Sequence, residues 1–61
     1  MVMKRYQVIL NSQIIKDYER VSSANKMVGK IVNQAWFSND ADLVEIYDSE
    51  TGEYIYTNED K

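Results

Sequence analysis

Gln13-Ile14-Ile15-Lys16-Asp17-Tyr18-Glu19-Arg20-Val21 is the stretch on which the fold turns. Ile14, Ile15, Tyr18 and Val21 fit the stripe of an amphipathic helix, with Ser12 as its cap. The same residues fit a strand whose two faces both carry apolar groups. What precedes them favours the strand. Lys4-Arg5-Tyr6-Gln7-Val8-Ile9-Leu10 is β-branched and aromatic, and Asn11-Ser12 supplies a two-residue turn because asparagine tolerates left-handed backbone angles. A strand over 13–21 completes a hairpin, which a helix would leave unmade.

Working outward, Ser22-Ser23 followed by Ala24 reads as a helix start. Ala24, Met27, Val28, Ile31 and Ala35 then recur on one helical face, widened by Val32 and Trp36, while Lys26, Lys30, Asn33 and Gln34 fall on the wet side. This predicts a helix over 23–37. Gly29 inside it costs about 1 kcal/mol relative to alanine, a cost that close approach of another backbone would explain. Ser38-Asn39-Asp40 breaks the helix. Leu43 to Asp48 and Glu53 to Thr57 read as two further strands around Ser49-Glu50-Thr51-Gly52, where Gly52 supplies the positive φ of a four-residue hairpin loop. The expected fold is α+β, ββαββ: two antiparallel hairpins forming a sheet with one helix packed on one face.

This layout resembles small uncharacterised bacterial and phage ββαββ domains of unknown function. The residues that carry the resemblance are Lys4-Arg5-Tyr6-Gln7-Val8 at the first strand, Ser22-Ser23-Ala24 at the helix start, and Asp48-Ser49-Glu50-Thr51-Gly52-Glu53 at the acidic hairpin. The resemblance covers most of the chain and implies the fold, with no assigned activity.

Composition narrows the chemistry. Sixty-one residues make a single domain over 1–61, with the ends at 1–3 and 58–61 expected to be poorly tied down. A chain this short buries only about 60% of its surface and commonly needs a staple. Cysteine is absent, so there is no disulfide or thiolate metal site, and histidine is absent, so the usual nitrogen ligand and general base are missing. Oligomerisation is the remaining aid. No apolar run approaches a membrane span, and the first residues lack the order of a secretory signal, so the expectation is a cytoplasmic protein without membrane contact.

Asp48, Glu50 and Glu53 are too closely spaced for an EF-hand calcium loop and read as a solvated acidic turn, as do Asp40 and Asp42. Ser22 and Ser23 have no histidine to activate them and read as caps. Two separated glycines, Gly29 and Gly52, make no phosphate loop. The chain is therefore expected to have no catalytic residues, no cofactor and no metal.

Charge is unevenly placed. Residues 1–39 carry net +4 and residues 40–61 net −7, within a total of −3. Pairing across the Asn11-Ser12 loop sets Leu10 against Gln13, Val8 against Ile15 and Tyr6 against Asp17 on one side. It sets Ile9 against Ile14, Gln7 against Lys16 and Arg5 against Tyr18 on the other. In the second hairpin Ile46 faces Ile55 and Val44 faces Thr57, with Leu43, Glu45, Tyr47, Tyr54 and Tyr56 on the reverse.

Both sides of that sheet are apolar, and one helix covers one side. The other side therefore predicts a protein-interaction module without catalysis, associating as a homodimer through Ile9, Ile14, Leu43, Tyr47, Tyr54 and Tyr56. The plainer reading is that tyrosines sit on exposed strands because they favour strands; dimerisation through an edge strand is a further option. Setting the basic hairpin of one chain against the acidic hairpin of the other makes such a dimer weaken in salt.

Two alternatives use the charge directly. Lys4, Arg5, Lys16, Arg20, Lys26 and Lys30, interleaved with Tyr6 and Tyr18, form a set that could hold phosphates and stack bases of a nucleic acid, against an overall pI near 4.7. Residues 40–61 could instead mimic nucleic acid and inhibit a protein with a basic groove.

Overall fold

The computed structural model describes residues 3–58. The elements run β1 (Tyr6–Leu10), β2 (Gln13–Tyr18), α1 (Val21–Val32), β3 (Val44–Asp48) and β4 (Glu53–Thr57). This is the expected ββαββ α+β fold. The ambiguous segment is a strand as far as Tyr18, while Val21 opens the helix instead of ending the strand.

All four strands lie in one antiparallel sheet in the order β2-β1-β3-β4, so the two hairpins meet through their first strands. β1 takes an inner place because it is apolar on both faces, and β3 because Val44 and Ile46 alternate strictly toward one side. The β1–β2 turn has Asn11 at φ 51° and Ser12 at φ 73°, the left-handed pair that a tight hairpin requires. Gly52 closes the second loop at φ +75°.

Each outer strand carries one extra residue. Ile9 pairs with Ile14 but Val8 pairs with Lys16, so Ile15 is bulged out of the ladder. Tyr47 pairs with Tyr54 but Ile46 pairs with Tyr56, which bulges Ile55 in the same way. A single inserted residue reverses the face of everything beyond it. The expected pairs next to the turns hold: Leu10 with Gln13 and Ile9 with Ile14.

Beyond the bulges they change. Val8 faces Lys16 instead of Ile15, Tyr6 faces Tyr18, Gln7 faces Asp17, and Thr57 pairs with Glu45 instead of Val44. Lys16, Tyr18 and Tyr56 thereby move to the helix side of the sheet, and Asp17 moves to the open side.

α1 covers the sheet with Ala24, Val28 and Ile31, packed on Val8, Val44 and Ile46, the last three fully buried. Tyr6, Leu10, Tyr18, Met27, Phe37 and Tyr56 close the margins of this core. The helix starts two residues earlier and ends five earlier than the apolar pattern predicts. Arg20 holds the N-cap position without a side-chain cap, so Ser22 and Ser23 lie inside the first turn and do not act as caps.

Twelve residues of helix span about 18 Å, the length of the strands beneath. A longer helix would carry Ala35 and Trp36 past the sheet, and both are exposed. Nothing outside the helix comes within 4 Å of where a side chain at Gly29 would begin, so the backbone contact that would explain this glycine is absent from the described residues.

The connection from α1 to β3 is fastened at both ends. The Asp42 carboxylate accepts from the Ser38 N–H at 2.9 Å and from Asn11 Nδ2 at 3.1 Å, while Asn11 Oδ1 accepts from the Leu43 N–H at 2.9 Å. Asn58 is tied down, contrary to expectation: its Oδ1 accepts from the Val44 N–H at 2.9 Å, and its Nδ2 donates to the Asp42 carbonyl at 2.9 Å. The expectation of loose ends at 1–2 and 59–61 lies outside the described residues.

Candidate functional site

Among the described residues, the sheet face opposite α1 has no helix or second layer packed on it. Register arranges it as two rows running from β2 to β4. One row is Ile14, Ile9, Glu45 and Thr57; the other is Asp17, Gln7, Tyr47 and Tyr54. Ile9 is only 9% exposed although it lies outside the helix-side core, because neighbouring strands flank it on both sides. Ile14 at 45% and Tyr54 at 58% remain open to solvent. The Tyr47 and Tyr54 rings lean on each other, with centroids 5.1 Å apart at an interplanar angle of 55°. An apolar body with a polar tip suits such rings to a surface that is wet in one state and covered in another.

Of the residues read from the sequence as an association surface, Ile9, Ile14, Tyr47 and Tyr54 share this face. Tyr56 does not: the Ile55 bulge turns it toward the helix, where it packs on the core. Leu43 precedes β3, half-buried, with its backbone N–H and C=O both bonded to Asn11.

The basic residues are not gathered on one sheet face. Arg5 makes a bidentate pair with Asp48, Nε to Oδ1 at 2.8 Å and Nη2 to Oδ2 at 2.9 Å, and its Nη1 lies 3.4 Å from Glu50. The same guanidinium sits 4.9 Å from the centre of the Tyr6 ring. Asp48 is 4% exposed and in phase with Val44 and Ile46. The hydrogen bonds from Arg5, together with one from the Glu50 N–H, outweigh the cost of burial and hold its carboxyl down at about 2. Arg5 is thus a structural residue that joins β1 to the end of β3. An acid in phase with buried strand positions is the signal for such a partner, visible in Val44-Glu45-Ile46-Tyr47-Asp48.

Tyr6 and Tyr18 face the helix and are partly buried, so neither is presented beside the lysines as an open stacking platform. The Lys4 backbone N–H donates to Asp17 at 2.7 Å. Lys16 is exposed on edge strand β2, Arg20 precedes α1, and Lys26 and Lys30 lie on exposed positions of α1. Among the described residues no group of three or more acidic side chains could hold a metal ion, and no helix is long and apolar enough to cross a membrane.

The fold and this surface together define a small α+β domain with one sheet face covered and one open. No family model, no curated protein and no solved structure matches the chain.

Proposed function

We propose that the protein is a non-catalytic protein-interaction module of the cytoplasm that associates through the open face of its sheet, with a second copy as its simplest occupant. One observation carries this reading: the sheet has a helix on one side and no layer on the other, yet that second side presents Ile14, Tyr47 and Tyr54 around Ile9. A 61-residue chain with so small a buried core gains from covering the apolar side chains of its open face. The edges of the sheet are poorer places to associate. Both outer strands are bulged, at Ile15 and Ile55, and bulges blunt edge pairing.

The charges now favour a different response to salt from the one read off the sequence. Arg5 is engaged within the chain, and Lys16 and Tyr18 lie on the helix side, so no basic hairpin faces the acidic one across the interface. Two open faces brought together gather the Asp17 and Glu45 carboxylates of both copies into one interface whose strand positions, among the described residues, carry no cation, so like charges oppose association. Added salt screens that repulsion and tightens the dimer.

Sedimentation equilibrium tests the reading. A dimer that dissociates on Ile14→Asp or Tyr54→Asp, with helical circular dichroism unchanged, supports it; a 7.2 kDa monomer at high micromolar concentration removes it. Tyr56 is unsuited to this test because its substitution would disturb the core.

A further inference from the structure

The Ile15 bulge decides the electrostatic character of the open face. Without it, Lys16 would stand beside Gln7 on this face and Asp17 would point to the helix side; with it, Asp17 is on the face and Lys16 is not. The guanidinium of Arg5, the other nearby cation, is occupied by Asp48 and Glu50. Among the described residues the strand positions of this face therefore carry two carboxylates, Asp17 and Glu45, and no cationic side chain. They alternate with apolar ground: Ile14 and Ile9 at one corner, the leaning Tyr47 and Tyr54 rings at the opposite corner.

We infer that the occupant this face fits best is a cationic, extended segment of another protein, carrying arginine or lysine on either side of an apolar residue. The inference rests on the open face being a docking surface, but not on a second copy occupying it. A second copy brings carboxylate toward carboxylate, whereas an arginine-bearing segment can pair with Glu45 and with Asp17, whose Oδ2 already accepts from the Lys4 N–H and whose Oδ1 is the oxygen an arginine would meet. Arginine can also stack on a tyrosine ring while its fork reaches a carboxylate.

The register sets the spacing. Asp17 and Glu45 lie two strands apart and one row apart, which with ordinary sheet dimensions separates them by about 12 Å. In an extended chain, residues i and i+4 point the same way and stand about 13 Å apart, with i+2 between them on the same side. An Arg-x-Leu-x-Arg segment laid across the diagonal thus places its arginines near the two acids and its leucine over β1, between Gln7 and Ile9. Such a segment and a second copy compete for one surface, so the segment dissociates the dimer.

Titration with the synthetic peptide acetyl-Arg-Ser-Leu-Ser-Arg-amide, followed by amide chemical shifts of the whole chain, tests this. The expected result is shifts centred on Gln7, Ile9, Glu45, Tyr47 and Tyr54, no response to the counterpart with Glu in place of Arg, and about threefold to fivefold weaker binding for each of Glu45→Gln and Asp17→Asn. Asp40→Asn and Glu53→Gln, exposed acids elsewhere, should leave binding unchanged.

Equal losses from those two controls would mean that only net charge is being read, and would overturn the inference. So would shifts confined to α1, or equal binding of the Glu peptide. A chain that is monomeric yet binds the Arg peptide as described removes the dimer and keeps this inference. A stable dimer indifferent to the peptide does the reverse.

Discussion

The two faces of the sheet are made by the same four strands, yet they differ in how far packing constrains them. On the helix side Val8, Val44 and Ile46 have no exposed surface, and even an acid, Asp48, is 4% exposed and fully partnered. Among the described residues of the open side only Ile9 is comparably shielded, while Ile14 and Tyr54 are about half exposed. The covered side is also the more apolar, with Val8, Leu10, Val44 and Ile46 against Ile9 and Ile14 on the open one. The layer of helix adds to that difference: Ile46 under it has no exposed surface, while Ile14 on the uncovered side stays 45% exposed, so burial here depends on what covers a residue as well as on the residue itself. Stability should therefore reside on the covered face, and association on the open one.

The sharpest way to break that comparison is Ile46→Ala. Truncating a fully buried isoleucine costs about 2–5 kcal/mol, against a total of roughly 3–9 kcal/mol for a domain of this length. Urea denaturation followed by circular dichroism should show the midpoint lowered by about half or more; a variant that keeps most of the wild-type midpoint would mean that the covered face does not hold the fold.

Next comes Arg5→Met, which leaves Asp48 buried without its cation. The pair depresses the Asp48 carboxyl from its ordinary 3.8 to about 2, so the stability it contributes is present above pH 4 and is lost as pH falls through that window. The gap in melting temperature between wild type and variant should be full at pH 6 and should close between pH 4 and 2. A gap independent of pH would assign the loss to packing alone.

A smaller, opposite effect is expected of Gly29→Ala on the covering helix. Among the described residues nothing outside the helix comes within 4 Å of the position, so alanine adds helix propensity without a clash and should stabilise by about 0.5–1 kcal/mol. In a domain of this size that amounts to roughly 3–8 °C in melting temperature. A loss instead would mean that α1 has a close contact of its own at Gly29, apart from the open face of the sheet.

The least effect on folding belongs to Ile14→Thr on the open face. A β-branched exchange at a half-exposed edge position should change monomer stability by no more than about 0.5 kcal/mol. Measured at concentrations where the chain is dissociated, a loss near that of Ile46→Ala would erase the distinction between the two faces.

Much of the fold is legible in the sequence because its signals are local. The left-handed tolerance of Asn11, the positive φ of Gly52, and the spacing of Ala24, Met27, Val28 and Ile31 each involve residues within a turn or two of one another. Counting from the loops also brings Ile9, Ile14, Tyr47 and Tyr54 together correctly. Each lies on the turn side of its hairpin's bulge, where the count still holds.

The far sides of the bulges are not legible in this way. Counting puts Tyr56 on the open face and Asp17 on the covered one, and the structure exchanges both. One extra residue per strand costs little backbone energy and is chosen by what the side chains beyond it must meet. Tyr18 and Tyr56 reach the core only through those insertions. The Arg5–Asp48 pair is hidden differently, since its members are 43 residues apart and meet only when β1 is laid beside β3.

The amino-acid sequence by itself determined the four strands and the helix, the turns between them, and the helical stripe that becomes the core, because propensity and periodicity act over a few residues. The tertiary structure alone decided the strand order, the two bulges, the engagement of Arg5, and hence that the open face is acidic and aromatic. Those outcomes depend on which distant segments compete for the same buried surface, and that competition is resolved only when the whole sheet packs at once.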